Sequence, residues 1–493
     1  MEKEMKFLVF GTGEYYQRYK KWIAKEEVVA LLDNSPAKQH TVVDGKEVLP
    51  PQEGVRREFD AVIIMSFYVK AMKCQLLELG VPERKIYHFY DLRKLIDLDK
   101  NRQSVQLYGS SEQELKGMAG RSIALLSTDL ALGGTAIALF HMEEVLTKLG
   151  YSVVFASTMD GPLRGRFEEK GIPLVIDPNL QLATMQETGW LAGFCLVICN
   201  AINYYVFLSK RDLRIPVVWW LHDSPFFYDG VDREIMGRIS QKNLTVLSVG
   251  PIPEEAIHKV LPELPVEQLL YGVEDVAGSG DMSIKADKEE RSQGKICFVT
   301  IGHIEERKGQ DILLRAVRLL KKEEREKAVF YLVGQDTSLL AERIKEAAAS
   351  MPEVVLKGPV SREKIGEILR SADVMVCPSR EDPMPTVAAE AMMYELPCIL
   401  SNAAGTAAYI REGENGFVFS NGDASELAGK IRWCIGNREK LTGLGKRARK
   451  IYEERFSMDV FEGNLCRYIK GALSEEIVSK EENDYEGGYM GMR

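Results

Sequence analysis

Residues 377–392 read CPSREDPMPTVAAEAM. Before them, ADVMV is a short apolar strand-like run; behind the proline-bearing loop, VAAEAMM has helical character, and LPCILS opens another strand. Strand, loop, helix and strand in that order form one unit of a parallel α/β sheet. Seven residues separate Asp382 in the loop from Glu390 in the helix. That spacing lets two carboxylates face one ligand, and ionised carboxylates accept hydrogen bonds from vicinal hydroxyls such as those of a sugar or a ribose. The amides at 385–387 open the helix and can meet anionic groups, although Pro385 has no N–H.

Working outward, this unit belongs to a series that begins with KICFVTIG and continues through AVFYLVGQ and EVVLKGPV. Upstream, a second series runs from SIALLSTDLALGG through IALFHMEEVLTKLG and YSVVFAS to VVWWLHD and LTVLSVG, and a first contains KFLVFG, VVALLD and DAVIIMS. The expected organisation is α/β throughout: a small doubly wound domain over 1–98, a polar linker over 99–120, and a second domain over 121–276. A Ser-, Gly- and charge-rich linker over 277–294 and a third domain over 295–473 follow, the last helix being free to cross back, with a disordered tail over 474–493. Two doubly wound domains in succession place a ligand crevice between them, at the carboxyl ends of their strands.

The 493 residues exceed what one core organises, and 45% apolar with 28% charged residues is the balance of a globular protein. Sixty-four basic against 73 acidic residues give a net charge of −9 with no long basic block, which argues against nucleic acid as a partner. Eight scattered cysteines, with no paired C-x-x-C spacing, read as free thiols in a reducing cytoplasm. The opening MEKEMKFLVFGTG carries no basic leader, long apolar region or small-residue cleavage site, so no signal peptide is expected. The stretch 190–208, WLAGFCLVICNAINYYVFL, is apolar enough to be weighed as a membrane span, but Asn200 and Asn203 fall inside it. A buried strand, FCLVICNAI, followed by a helix is the preferred reading.

The segment CPSREDPMPTVAAEAMMYELPCILSNAAGTAAYI resembles the retaining glycosyltransferase family 4, whose members carry PS-x-x-E-x7-E, then EAM-x4-P and a Gly-rich turn. Aspartate stands here for the first glutamate. The resemblance covers about 121–469 and implies the GT-B architecture, two Rossmann-like domains with the nucleotide-sugar donor held mainly by the second. It implies that Glu390 binds the ribose hydroxyls, that Asp382 sits against the donor sugar, and that amides near Thr386 and Val387 meet the sugar or diphosphate. In TIGHIEERKGQ, Lys308 and Gly309 match the family's lysine and glycine, while His303 stands at the arginine position. A cation there neutralises the diphosphate as its bond to C1 breaks, and Arg307 is a second candidate.

The turn Gly133-Gly134 matches the family's GG turn facing the diphosphate, and His222-Asp223, at the end of VVWWLHD, its HE or HD step near the anomeric centre. His222 is the candidate for positioning leaving group and acceptor. Gly334 and Val360, the latter in the GPV turn, are expected walls of the nucleobase site. The implied reaction is hexosyltransferase-type, with front-face transfer that retains configuration and requires neither metal nor cofactor beyond a UDP- or GDP-sugar donor. No Asp-x-Asp clasp lies near a suitable strand end. The implied acceptor is a glycan or lipid-linked hydroxyl in surface polysaccharide synthesis, in the cytoplasm, with docking at the inner face of the membrane left open.

The N-terminal FGTGEYY offers Gly11-x-Gly13, with Asp33 closing the next strand about 20 residues on, as in a dinucleotide fingerprint. Tyr16 replaces the third glycine. This domain resembles small Rossmann-like modules beside sugar-modifying and acyl-transferring enzymes. Two other readings stand beside the leading one: a nucleotide-sugar-binding scaffold of weak activity, and an NAD-dependent sugar-modifying N-terminal unit fused to a carrier.

Overall fold

The computed structural model describes residues 5–66, 68–118, 120–131, 133–277, 294–335 and 338–488. Among them are three largely parallel sheets. The first orders its strands Val42–Val43, Lys46–Leu49, Glu27–Leu32, Lys6–Phe10, Ala61–Ile64 and Ile86–His88, with only the first pair antiparallel. The third is ordered Val354–Gly358, Ala328–Val333, Ile296–Ile301, Val374–Cys377, Cys398–Ser401 and Gly416–Phe419, all parallel. Counted along the chain this is 3-2-1-4-5-6, so the order reverses between Ile296–Ile301 and Val374–Cys377.

The middle sheet follows the same rule. Its eight strands are Glu267–Gln268, Leu244–Ser248, Val217–Leu221, Leu196–Asn200, Ser122–Ser127, Ser152–Ser157, Leu174–Ile176 and Gln106–Tyr108. The order reverses between Leu196–Asn200 and Ser122–Ser127, which pair in parallel. In the first sheet the reversal lies between Lys6–Phe10 and Ala61–Ile64. At each reversal, adjacent strands send their connections to opposite faces of the sheet, which opens a crevice at their carboxyl ends. The buried strands read as continuous apolar runs because helices cover both faces.

The expected linker over 99–120 is corrected. Gln106–Tyr108 adds antiparallel to Leu174–Ile176 and closes that edge of the middle sheet, and Glu112–Gly117 is a helix with a Ser111/Glu114 capping box. The segment is polar because an edge strand exposes one side to water. Most of the 277–294 linker lies outside the described residues. The stretch 190–208 contains the buried strand Leu196–Asn200, a 3-10 turn and a short helix, Tyr205–Leu208. Among the described residues no helix is long and apolar enough to cross a membrane.

Contacts in two regions tie the parts together. Tyr15, Tyr19, Trp22, Phe89 and Tyr90 of the first domain share one core with Tyr204 and Tyr205 of the second. Arg93 grips both carboxylate oxygens of Glu187 at 2.7 and 2.8 Å and the Leu182 carbonyl at 2.7 Å. At the other end, a π-turn at Tyr452–Phe456 breaks the helical run, and the helix Met458–Gly488 crosses back. There Phe461 stacks on Trp220 with centroids 6.0 Å apart, and Tyr468 donates to the Gln268 carbonyl at 3.1 Å. The tail expected beyond Ser474 continues this helix as far as Gly488; its side chains and residues 489–493 lie outside the described residues.

Candidate active site

The carboxyl ends of all three sheets open on one cavity of about 880 Å³. From the third sheet, the loops after Ile296–Ile301 and Val374–Cys377 bring His303, Arg307 and Lys308 against Asp382 and Thr386. From the middle sheet come Gly133, Gly134, His222 and Asp223. Residues 74 positions apart in sequence therefore meet at the strand-order reversal: Lys308 Nζ donates to Asp382 Oδ2 at 2.5 Å.

Lys308 is aimed by Gly309, whose φ of +67° is left-handed; an added Cβ there would lie 2.1 Å from the Pro378 carbonyl oxygen. Asp382 is 5% exposed and its backbone is pinned on both sides, its N–H to Ala403 O at 3.0 Å and its carbonyl to Gly405 N–H at 2.9 Å. Arg307 donates to Glu305 Oε1 at 2.9 Å and to the Glu381 carbonyl at 3.2 Å, and stands 4.0 Å from Asp382. The His303 carbonyl accepts from Gln310 Nε2 at 2.8 Å.

Two helices start at the cleft from opposite sides. Gly134–Lys148 follows its N-cap Gly133, and Thr386–Met393 follows its N-cap Pro385. They come so close that an added Cβ on Gly134 would be 3.3 Å from Thr386 Cγ2. Each N-terminus carries unpaired N–H groups and roughly half a positive charge, so the pair suits an anion.

His222 stands on the exit of Val217–Leu221 with its ring edge-on to Trp220, centroids 4.1 Å apart. Its Nε2 is buried without a hydrogen-bond partner, and burial pushes its pKa down to about 3, so the ring is neutral. Its neighbour Asp223 accepts from the Ile202 N–H at 2.6 Å, and burial raises its pKa to about 7. Glu381, which sequence reasoning passed over beside Asp382, reaches across the cleft to accept from Phe226 N–H at 3.5 Å; burial raises its pKa.

Several expected residues stand away from the cavity walls. Glu390 lies a turn inside its helix, 4% exposed, with Oε1 held by Arg362 at 2.5 Å. Val387 and Val360 pack against the core instead. Gly334 serves close backbone approach: with φ +146°, an added Cβ would lie 2.1 Å from the Gly302 carbonyl oxygen.

The first domain's fingerprint residues are engaged within their own domain. Asp33 accepts from Thr12 N–H at 3.2 Å, Thr12 Oγ1 at 2.5 Å and Ser35 N–H at 2.9 Å, with Lys38 3.3 Å away. Gly11, at φ +106°, abuts the Met65 carbonyl, while Gly13 is the N-cap of a helix of only six residues. Tyr16 is buried in the shared aromatic core. The residues of this domain that do wall the common cavity are Glu14, Tyr15, Arg18 and Tyr68, which no local motif marked. Among the described residues no group of three or more His, Cys, Asp or Glu could hold a metal ion.

Comparison with known proteins follows this division. Residues 281–451 match the family model of glycosyl transferases group 1, and residues 3–87 match that of C2185-like, N-terminal. Spore coat protein SA of Bacillus subtilis (strain 168) is 28% identical over 372 residues, 70% of this chain and 97% of that protein. The D-inositol 3-phosphate glycosyltransferase of Nocardia farcinica is 24% identical, over 67% of this chain and 80% of its own. Sulfoquinovosyl transferase SQD2 of Arabidopsis thaliana is 31% identical over 116 residues, and the chain spans only 22% of that relative. Among solved structures, Anabaena HepE in complex with UDP-glucose superposes with a TM-score of 0.61 at 18% identity, covering 71% of this chain and 99% of that one. WaaG, a glycosyltransferase involved in lipopolysaccharide biosynthesis, gives 0.54 at 15% identity, covering 70% and 98%. The chain thus has a GT-B fold, and its residues 281–451 match the glycosyl transferases group 1 model.

Proposed function

We propose that the protein transfers a hexosyl group from a nucleotide-sugar, UDP-linked in the first instance, to a hydroxyl of a glycan or lipid-linked acceptor, with retention of anomeric configuration. The observation that carries this reading is the Lys308–Asp382 pair at the strand-order reversal, facing two opposed helix N-termini across one cavity. The diphosphate takes Lys308, Arg307 and the amides of Gly134 and Thr386. Asp382 accepts hydrogen bonds from the donor sugar. Glu390 takes the ribose hydroxyls once Arg362 gives way. UDP as the nucleotude of the solved HepE complexes supports the choice of base.

In the front-face reaction the bond from C1 to the β-phosphate oxygen breaks while the acceptor oxygen bonds to C1 from the same side. The acceptor proton passes to the departing phosphate oxygen, and the nucleoside diphosphate leaves. The chain's part is positioning and charge stabilisation. Neutral His222 orients the acceptor hydroxyl without competing for the negative phosphate, and Lys308 holds the charge that grows on the leaving group. No protein nucleophile or metal enters these steps. The domain division expected from the sequence is part of this reading, with acceptor on the middle domain and donor on the third. So is a cytoplasmic location, motivated by the eight free cysteines.

The test is nucleotide release from a panel of UDP-, GDP- and ADP-sugars, with the anomeric configuration of the product read by NMR. Slow release from a UDP-sugar is expected. Lys308→Ala removes it, and Glu390→Ala weakens donor binding. An active double variant, or a product of inverted configuration, would overturn the proposal. Binding of UDP-glucose with no release at all would identify a scaffold instead.

A further inference from the structure

The N-terminal domain has its own strand-order reversal, and the loops leaving it point into the cleft of the two other domains. Glu14, Tyr15 and Arg18 follow Lys6–Phe10, and Tyr68 follows Ala61–Ile64. The acid that would hold a ribose there, Asp33, is engaged by Thr12, Ser35 and Lys38. The crevice of this domain has become part of the shared cavity rather than a separate nucleotide site.

We propose that the N-terminal domain completes the acceptor subsite, and that the acceptor moiety bound there is an uncharged, hydroxyl-rich saccharide ring. This rests on the donor reading above. Three observations support it. First, the wall is fixed in place. The domain shares an aromatic core with the middle domain and is clamped by Arg93 on Glu187, by the Tyr90 hydroxyl on Asn203, and by Lys94 on Asp232. Second, the cavity, at about 880 Å³, lies near the top of the roughly 300–1,000 Å³ range of ligand sites and leaves room beside a donor.

Third, the chemistry of this half of the cavity selects against anions. Among the described residues, Glu14 and Asp129 face it against one cation, Arg18, which lies 3.3 Å from Glu14 and 3.7 Å from Asp129. A phosphorylated or carboxylated ring would meet an excess of carboxylates, whereas neutral hydroxyls donate to them. Tyr68, 69% exposed at the cavity rim, and the stacked pair Phe226 and Phe227, centroids 4.2 Å apart, supply aromatic faces for the C–H side of a sugar ring. A polar edge beside aromatic faces is the pairing a pyranose presents in reverse.

The test uses the full chain with UDP-glucose, UDP-galactose and UDP-N-acetylglucosamine as donors. Nucleotide release is measured alone and with methyl α-glucoside, methyl β-galactoside or maltose, and in parallel with glucose 6-phosphate and glucuronate. A neutral saccharide is expected to accelerate release while the charged ones do not. Tyr68→Ala and Glu14→Gln then each raise the KM for that saccharide by about tenfold with the donor KM unchanged, and Tyr68→Phe, which keeps the aromatic face, restores it. Release without saccharide reports on the donor site alone, so its absence in the unsubstituted chain counts against the donor reading. Release that no neutral saccharide accelerates, stronger acceleration by a charged one, or an acceptor KM indifferent to Tyr68→Ala overturns the acceptor inference.

Discussion

Gly309→Ala puts the geometry of the Lys308–Asp382 pair under load at a position that touches no substrate. Gly309 sits at φ +67°, where a side chain costs about 1–2 kcal/mol. Its Cβ would lie 2.1 Å from the Pro378 carbonyl oxygen and 3.0 Å from Ile312 Cδ1. The first neighbour is backbone and cannot rotate away. Opening that contact to about 3.3 Å, the near edge of normal C···O contact, means separating the two loops by about 1 Å. One loop carries Lys308 next door; the other carries Asp382 four residues on. A misplacement of about 1 Å costs on the order of 100-fold in rate, or about 2.7 kcal/mol of barrier. Initial rates of nucleotide release from a UDP-sugar, beside thermal unfolding of the same samples, read both effects. Gly429→Ala is the control: it lies inside the helix Ala424–Gly436 with open space at its Cβ, and should gain about 0.5–1 kcal/mol with its rate unchanged. Release by Gly309→Ala within twofold of the unsubstituted rate would refute the claim that the approach of these two loops sets catalysis.

Asp223→Asn tests the buried acid beside His222. Because its folded pKa is raised to about 7, the folded chain keeps a proton that the unfolded chain releases near pH 4, so this residue loses stability as pH rises between those values. Urea midpoints should show the Asn variant gaining on the parent by about 1 kcal/mol per pH unit across that window. Arg93→Ala probes the docking of the first domain: Arg93 holds the Glu187 pKa down to about 2, a contribution present above about pH 4.5 and lost as pH falls toward 2. With Glu187 35% exposed, the loss at pH 7 should be about 1 kcal/mol, seen as faster proteolysis between the first two domains, and the variant's stability should depend less on pH below 4.5. Gly134→Val crowds Thr386 Cγ2 from the 3.3 Å at which even a Cβ would stand, and should raise the donor KM by about tenfold in the same release assay.

The sheets were legible because their strands are buried on both faces and read as unbroken apolar runs, such as ICFVTI and VVWWL. Gln106–Tyr108 escaped because three half-exposed residues at a sheet edge carry no such run. In the site, Lys308 and Asp382 were marked by the residues flanking them, and the strand-order reversal explains why positions so far apart in sequence meet. Glu14, Arg18 and Tyr68 had no comparable mark. Their place in the cavity follows from how the first domain docks, through aromatic side chains whose partners lie over 100 residues away. Gly334 misled for a related reason: a glycine at a strand end admits either a ligand or another backbone, and here the Gly302 carbonyl occupies that space.

The histidine at position 303 shifts the electrostatic burden in a way that sequence alone left open. Arg307 does not replace a missing guanidinium freely, since Glu305 and the Glu381 carbonyl hold it. Lys308 is shared with Asp382 at 2.5 Å, so part of its charge is already matched before a donor arrives. The opposed pair of helix N-termini at Gly134 and Thr386 adds to what these two cations supply. Two such ends, each worth about half a unit charge, supply roughly the charge of one cation, and they need no reorganisation as the phosphate charge grows. On the proposed reading they act on the diphosphate only while the two domains stay closed to the distance that brings Gly134 against Thr386. In the proposed reaction, closure, to which the stacking of Phe461 of the returning C-terminal helix on Trp220 contributes, is therefore part of the charge offered to the phosphate.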